Sequence, residues 1–261
     1  MRSFFYYKIS VFILISCSIS VSAQISENFA EWTDKEIIPV TDNFVQYDKY
    51  KWYPLGIASI LLTATQDDYI RSDMKDHQNI NSELSKWGDI LGSGAGSLAV
   101  IGAQWAFDND TSNAYSHLRG FVWGGVSIYA FKTVFNRKRP GESRNYQSFP
   151  SGHTAISFMT ASQINQAYGW KWGAPAYFVA SFIGATRLSD DAHWASDVVA
   201  GALLGTLIGY STFNSKQSTL NSEGDQKETH KVNESYLIPN ISFDPKNTYL
   251  QMTWISTFQA F

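Results

Sequence analysis

The sequence has a single cysteine, little net charge and no clearly membrane-length apolar run. The cysteine among the 261 residues is Cys17, so neither an internal disulfide nor a cysteine-based zinc site is possible. The formal net charge of −3 provides no global positive field, which argues against nucleic acid as the main partner. An anionic substrate would therefore have to be held by a local cluster of cations.

Apolar residues are plentiful, at 44% of the chain. Six apolar stretches have the length of helices, and they cover residues 52–66, 90–107, 120–131, 154–170, 172–186 and 198–213. Most are rich in Gly, Ala and Ser, which lets helices approach closely. We expect an all-α fold, a bundle of about five or six helices. The uncharged runs are roughly 12 to 18 residues long, against about 20 needed to cross a bilayer, so the sequence leaves open whether the bundle lies in a membrane.

The first 23 residues have the pattern of a secretory signal peptide. A basic start is followed by a short apolar run and by small residues that precede a cleavage site after Ala23. A lipoprotein signal with an acylated Cys17 and an uncleaved anchor are the alternatives. All three place the rest of the chain in a bacterial cell envelope, on the periplasmic side.

The remaining segments differ in composition. Residues 24–50 form a mixed, polar lead-in, and residues 51–213 carry the helical bundle. The polar and charged composition of residues 214–234 predicts a linker. In residues 235–261, two runs of strand character flank turn residues, which predicts a C-terminal β-hairpin.

Two long cations mark the end of the third apolar stretch. Lys132 and Arg139 are seven residues apart, so two helical turns would place them on nearly the same face. Pro140 would then end the helix. Arginine can bind a phosphate through two parallel hydrogen bonds, and lysine supplies a point charge. The alternative is a solvated basic helix end, which is what we expect for Arg137 and Lys138.

The tetrapeptide Pro150-Ser151-Gly152-His153 predicts a tight turn that opens a helix. Ser151 could cap the helix or bind a phosphate oxygen. Gly152 lets an anion approach the free backbone N–H groups of the helix start. His153 would lie beside that anion, able to donate a proton to a leaving oxygen. A plain N-capped helix with a surface histidine is the alternative.

The segment from Arg187 to Asp197 predicts a helix end near Arg187 and a new helix from about Ala192. His193 and Asp197, four residues apart, would share one helix face. The carboxylate could then accept the Nδ1–H of the imidazole, which leaves Nε2 with a free lone pair. Arg187 would add a third cation.

Two other interpretations of the His193–Asp197 pair remain. It could be a structural pair, or it could ligate a metal together with Asp190 and His153. No tight metal-ligand spacing is present in the sequence. The metal interpretation therefore requires the fold to bring the further ligands together from separate segments of the chain.

Together, the three blocks resemble the signature of the type 2 phosphatidic acid phosphatase and vanadium haloperoxidase superfamily. That signature is Lys, six residues, Arg-Pro; then Pro-Ser-Gly-His; then Ser-Arg, five residues, His, three residues, Asp. The matching residues are Lys132, Arg139, Pro140, Pro150, Ser151, Gly152, His153, Arg187, His193 and Asp197. Thr186 replaces the usual Ser but keeps the hydroxyl. The resemblance covers about residues 50–213.

The resemblance implies a helical bundle and a phosphatase that needs no metal or other cofactor, with vanadate binding as a phosphate mimic. His193 would be the nucleophile that forms a phosphohistidine, Asp197 would orient it, and His153 would be the general acid. The phosphate would be held by Lys132, Arg139, Ser151, Gly152 and Arg187.

The substrate expected from an apolar bundle in the envelope is a lipid phosphate, with a membrane as partner and no nucleic acid. A secreted acid phosphatase of broad specificity is the first alternative. A vanadate-dependent haloperoxidase is the second, although the spacers here are short for that class. A non-catalytic membrane or assembly protein is the third. The sequence does not specify the oligomeric state.

Overall fold

The computed structural model describes residues 33, 38, 40–41, 53–77, 80–141, 143–223, 237–244 and 249–256, with only the backbone from residue 214 on. The chain divides into two compact units, Met1–Leu220 and Asn221–Phe261. The predicted signal peptide at residues 1–23, and all but a few residues of the lead-in at 24–50, lie outside the described residues.

Every regular element that the structure describes within the first unit is a helix. Its helices are α1 (Tyr53–Ala64), α2 (Asp67–His77), α3 (Ser82–Ile90), a π-helical turn (Leu91–Ala95) that leads into α4 (Gly96–Phe107), α5 (Ser112–Phe135), α6 (Gly152–Tyr168), α7 (Trp170–Ser189) and α8 (Ala195–Glu223). The all-α class is confirmed. The predicted number of five or six helices is too low, because α2 and α3 are short and polar and give no apolar run.

The core of this unit lies between α5, α6 and α8. Its buried members are Ile128, Ala155, Ile156, Met159, Leu204 and Ile208. On α8, Gly201, Gly205 and Gly209 recur every fourth residue and form one stripe. A Cβ at Gly205 would lie 2.0 Å from the carbonyl oxygen of Ala155, so only glycine lets α8 lie directly on α6.

The end of α8 differs from the prediction. The helix continues to Glu223, past residue 214, where the composition predicts a linker. The polar residues there begin as helix because nothing between 214 and 223 breaks it, neither proline nor glycine. The other predicted domain boundaries stay predictions.

In the second unit, the backbone of β1 (Leu237–Asp244) pairs antiparallel with β2 (Tyr249–Ser256). Among the described residues, the sheet consists of these two strands. A two-stranded sheet is by itself marginally stable at best in water. The C-terminal β-hairpin expected from the sequence is therefore not supported as an element of the fold.

In the part of the chain that the structure describes, two helical segments are long and apolar enough to cross a membrane, Ser82–Phe107 and Ala195–Phe213. Both meet the criterion by length and composition. The core helix of a soluble bundle meets the same criterion, so it assigns no span by itself.

Candidate active site

The first predicted cation pair does not lie on one helix. Helix α5 ends at Phe135 because Asn136 adopts the left-handed conformation, with φ 41°. Arg139 and Pro140 therefore lie in the loop that follows. The expectation that Lys132 and Arg139 share a helix face is wrong, and so is the expectation that Pro140 ends the helix.

The loop after α5 nevertheless folds back toward its own start. The backbone N–H of Arg139 donates to the carbonyl of Asn145 at 2.9 Å. The Nζ of Lys132 donates to the carbonyl of Gln147 at 2.5 Å. A Cβ at Gly152 would lie 3.9 Å from the Cε of Lys132. The loop thus brings the Lys132 side chain to the first residue of α6.

Ser151 precedes α6 but does not cap it with its side chain. Its buried hydroxyl accepts a hydrogen bond from Thr154 Oγ1 at 2.9 Å, and its backbone N–H donates to the carbonyl of Asp197 at 3.0 Å. The predicted capping role is therefore wrong. The bond to Asp197 instead ties the start of α6 to α8.

His153 lies on the first turn of α6 and meets an acidic residue that the sequence did not single out. Its Nε2 lies 3.1 Å from Asp89 Oδ1, on α3. Close packing delivers Asp89 to this position, because a Cβ at Gly92 would lie 2.9 Å from the Cβ of His153 and 2.7 Å from Ile183 Cγ2. The π-helical turn can approach α6 and α7 only with glycine there.

Arg187 lies near the end of α7, with its side chain only 6% exposed. Its Nη1 contacts Asp89 Oδ1 at 2.5 Å, and its Nη2 contacts Asp190 Oδ2 at 2.8 Å. The Nε donates to the hydroxyl of Thr186 at 3.3 Å, so the threonine keeps the hydroxyl contact. The carboxylate of Asp89 therefore bridges Arg187 and His153, while its own side chain is 59% exposed.

His193 and Asp197 do not share a helix, because α8 begins at Ala195 and His193 lies in the loop before it. That expectation is wrong. The imidazole Nδ1 lies 3.7 Å from Asp197 Oδ2, too far for a hydrogen bond. Within the part of the chain that the structure describes, this buried Nδ1 has no hydrogen-bond partner.

The carboxylate of Asp197 is fully buried and accepts hydrogen bonds from other residues. It accepts from Arg137 Nη1 at 2.6 Å, from Ser148 Oγ at 2.5 Å and from the backbone N–H of Trp194 at 3.0 Å. Arg137 was expected to be a solvated cation, and that expectation is wrong. Lys138 was also expected to be a solvated cation, and its side chain is exposed as expected.

The cations perturb one another. Burial and, next, the charge of Arg139 lower the pKa of Lys132 to about 8, against the opposing effect of Asp197. The pKa of Arg139 is also lowered, first by burial and then by the charge of Arg187, while Asp197 opposes the shift. These mutual effects require the three cations to lie near one another.

The two histidines belong to the same cluster. Burial lowers the pKa of His193, and the charges of Arg139 and Lys132 lower it further, while Asp197 opposes them. Burial also lowers the pKa of His153, assisted by Arg187 and His193 and opposed by Asp89. The structure therefore brings together five predicted groups from three separate segments, Lys132, Arg139, His153, Arg187 and His193.

The cluster favours an anion. The Nε of Arg139 is buried and, among the described residues, has no hydrogen-bond partner. A buried donor without a partner is rare and costly, and an anion at this point would satisfy it. The described residues contain no group of three or more His, Cys, Asp or Glu side chains that could hold a metal ion.

A family model matches the part of the chain that contains these residues. Residues 115–219 match the PAP2 superfamily. The matched region begins within α5 and ends within α8, so it includes every site residue predicted from the sequence. Helices α2 and α3, which supply Asp89 among others, lie outside it.

Three curated relatives are similar to part of the chain. The lipid A 1-phosphatase of Porphyromonas gingivalis is 42% identical over 94 residues, 34% of this chain and 21% of the relative. The probable diacylglycerol pyrophosphate phosphatase 1 of Schizosaccharomyces pombe is 37% identical over 25% of this chain and 28% of its own. The bacitracin transport permease protein BcrC of Bacillus licheniformis is 31% identical over 44% and 55%, respectively. The chain therefore spans between about a fifth and just over half of these relatives.

Among solved structures, the crystal structure of Aquifex aeolicus LpxE is similar in fold. The TM-score is 0.50 at 22% sequence identity, and the match covers 57% of this chain and 94% of that one. The likeness concerns the helical fold.

Proposed function

We propose that the chain carries a domain of the PAP2 superfamily, whose model matches residues 115–219, and that this domain is a phosphatase that hydrolyses lipid phosphates without a metal cofactor. The observation that carries the proposal is the cluster of Lys132, Arg139 and Arg187 around two histidines. Phosphoryl transfer depends mainly on placed positive charge, and three fixed cations can supply it.

In the proposed first step, the Nε2 lone pair of His193 attacks phosphorus and the bond to the leaving oxygen breaks. His153, in its protonated form, gives its proton to that oxygen. Asp197 stabilises the positive ring of the phosphohistidine. The Nδ1–carboxylate distance of 3.7 Å would shorten on substrate binding through movement of the imidazole, as catalytic hydrogen bonds often do.

In the second step, the neutral His153 takes a proton from water, and the oxygen of that water attacks phosphorus. The P–N bond breaks and its electron pair returns to His193, which restores the starting state. Lys132, Arg139 and Arg187 hold the non-bridging oxygens throughout, with the backbone at Gly152 and the hydroxyl of Ser151 as further contacts.

A lipid substrate is supported by apolar side chains beside the cations. Phe131 and Phe135 flank Lys132 on α5, with ring centroids 6.0 Å apart, and Phe149 packs on Phe135 at 4.6 Å. On α3, Trp87 is exposed two residues before Asp89. Two of the curated relatives are named for lipid phosphates. We propose a lipid chain lying along these side chains with its phosphate at the cations.

The location proposed for the enzyme is the periplasmic side of a bacterial envelope, in contact with the membrane. Its support is the signal-like sequence of residues 1–23 and the two apolar segments Ser82–Phe107 and Ala195–Phe213. The exposed large hydrophobic side chains of α1 and α5, among them Leu61, Leu62 and Val126, would then face lipid.

The test is phosphate release by the purified full chain from a lipid phosphate in detergent micelles and from a soluble aryl phosphate. We expect turnover of the lipid, inhibition by vanadate and no loss with a chelator. His193→Ala should abolish turnover, whereas the matched surface variant Lys138→Ala should keep it.

Other outcomes would redirect the proposal. Turnover only of soluble esters, by protein that stays in the soluble fraction, would indicate a secreted acid phosphatase. Peroxide-dependent halide oxidation with added vanadate, without phosphatase activity, would indicate a haloperoxidase. If the unsubstituted protein shows no turnover and His193→Ala changes none of its measurable properties, the protein is non-catalytic.

A further inference from the structure

A chain of charged side chains reaches the site from α2, outside the family match. The guanidinium of Arg137 contacts two buried carboxylates at once, Asp197 through Nη1 at 2.6 Å and Asp67 through Nη2 at 2.7 Å. Asp67 lies at the first position of α2. It lines the same small pocket as His193. Arg137 therefore links α2 to the carboxylate beside His193.

Ser196 closes this chain into a ring. Its hydroxyl accepts from Arg137 Nη1 at 2.7 Å and donates to Asp67 Oδ2 at 2.6 Å, while its backbone N–H donates to Asp67 Oδ1 at 2.9 Å. Both carboxylates are buried, so each needs these partners to offset the cost of its burial. The ring leaves the Asp197 carboxylate little freedom to move.

The fixed carboxylate lies 3.7 Å from the Nδ1 of His193, a nitrogen that has no hydrogen-bond partner among the described residues. Small movements of Asp197 would therefore make or lose the contact that orients the imidazole. We propose that Arg137, held by Asp67, is a positioning residue of the active site, because it fixes Asp197 and so sets how His193 presents its Nε2. This inference rests on the proposed phosphatase function.

Charge provides a readout that a purely structural role would not move. The charged groups around His193 are Lys132 at the end of α5, Arg139 in the loop, His153 on α6 and Asp197 on α8, together with Asp67 and Arg71 of α2, which line the same pocket. Without Arg137, the negative charge of Asp197 is less compensated, so His193 should hold its proton to higher pH. Because the nucleophile must be neutral, the acid limb of the pH–rate profile should move to higher pH.

The experiment compares Arg137→Gln and Asp67→Asn with Lys138→Gln, which removes the same charge one residue away from an exposed side chain. We expect kcat of Arg137→Gln to fall about 10- to 100-fold, the range found for groups that orient metal ligands, with KM changed far less. Its acid limb should move to higher pH. Asp67→Asn removes a negative charge instead, so its acid limb should move to lower pH, with a smaller loss of kcat.

Arg137→Lys should restore part of the rate, and Lys138→Gln should match the unsubstituted protein. The inference is overturned if the unsubstituted protein turns over substrate but Arg137→Gln keeps its kcat. It is also overturned if the acid limbs of both Arg137→Gln and Asp67→Asn stay in place. If Arg137→Gln does not fold, Asp67→Asn alone decides: an acid limb at lower pH supports the inference, and an acid limb that stays in place or moves to higher pH overturns it. A lack of turnover in the unsubstituted protein would instead contradict the proposed function.

Discussion

Two buried histidines of this bundle, His193 and His117, differ in what surrounds them. His117 lies on α5 and is fully buried. Its Nδ1 lies 2.9 Å from Gln104 Oε1, which can only accept, so Nδ1 carries the proton. Its Nε2 lies 3.2 Å from the hydroxyls of Ser97 and of Thr160. Both ring nitrogens thus have neutral partners.

His193 is almost as buried, but its neighbours are charged. Lys132, Arg139 and Asp197 all act on its pKa, and its Nδ1 lacks a hydrogen bond within the described residues. Burial therefore does not separate the two histidines. What separates them is that one ring is satisfied by neutral groups, whereas the other is held unsatisfied among cations, as expected of a group that reacts with an anion.

The largest expected effect is on the nucleophile. His193→Ala should reduce kcat by about 10⁴-fold or more, because the covalent step has no other route. The stability loss should come from the cavity alone and stay smaller than at a hydrogen-bonded buried histidine, since the imidazole makes no hydrogen bond through Nδ1. Phosphate release and circular dichroism melting measure the two effects.

The matched control at the other histidine is His117→Ala. It should keep kcat and lose about 2 to 4 kcal/mol of stability, because a cavity forms and the partners Gln104 and Thr160 are left unpaired. A variant of His117 that loses activity while remaining folded would contradict the distinction between the two sites.

The next effect concerns the unsatisfied cation. Arg139→Gln should lower kcat by about 10²- to 10³-fold, the typical loss for one electrostatic donor. It should not lower the melting temperature, because it removes a partly buried charge that is repelled by Lys132 and Arg187. Loss of stability together with rate would mean that Arg139 serves the fold rather than the substrate.

The residues of the reactive cluster were predictable because each lies in a short segment with a distinctive pattern. The resemblance of these segments to a superfamily signature implied that Lys132, Arg139, His153, Arg187 and His193 lie in one place, although the helix faces expected from their spacing were wrong. The apolar stretches of helix length were also sufficient to predict six of the helices, α1 and α4 to α8.

The partners of those residues were not predictable. Asp67, Asp89 and Arg137 lie in polar stretches that look like solvated surface, and their roles depend on contacts between residues 70 to 129 positions apart. Helix α5 ends at Phe135, earlier than predicted, because Asn136 adopts the left-handed conformation. Asparagine tolerates that conformation but does not require it, so the sequence pattern did not predict the helix end. Side-chain partners and exact helix ends are decided by packing.

A third prediction uses pH to separate the histidines further. Burial lowers the pKa of His117 from its ordinary 6.5 to about 4. The unfolded chain therefore takes up a proton first as the pH falls, so the folded state loses stability from about pH 6.5 down to pH 4. The loss should approach about 3 kcal/mol for this group. The side chain of His117→Gln does not titrate. In that variant, the free energy of unfolding measured with denaturant should therefore fall by about 3 kcal/mol less between pH 6.5 and pH 4 than in the unsubstituted protein.

The smallest expected effect is at the exposed carboxylate. Asp89 raises the pKa of His153 through its charge, so Asp89→Asn should lower that pKa. Because the general acid must be protonated, the alkaline limb of kcat/KM should move to lower pH, by about half a unit for so exposed a pair. A shift of the acid limb instead would indicate that Asp89 acts on His193.

The central claim is that His193 forms a covalent bond to phosphorus inside the cation cluster. The most direct measurement is rapid quenching of the enzyme with a phosphate-labelled lipid substrate, followed by mass spectrometry of the peptides. The account predicts an acid-labile, base-stable phosphoryl group on His193, absent from His193→Ala. A phosphoryl group on another residue, or turnover without any label on the protein, would contradict it.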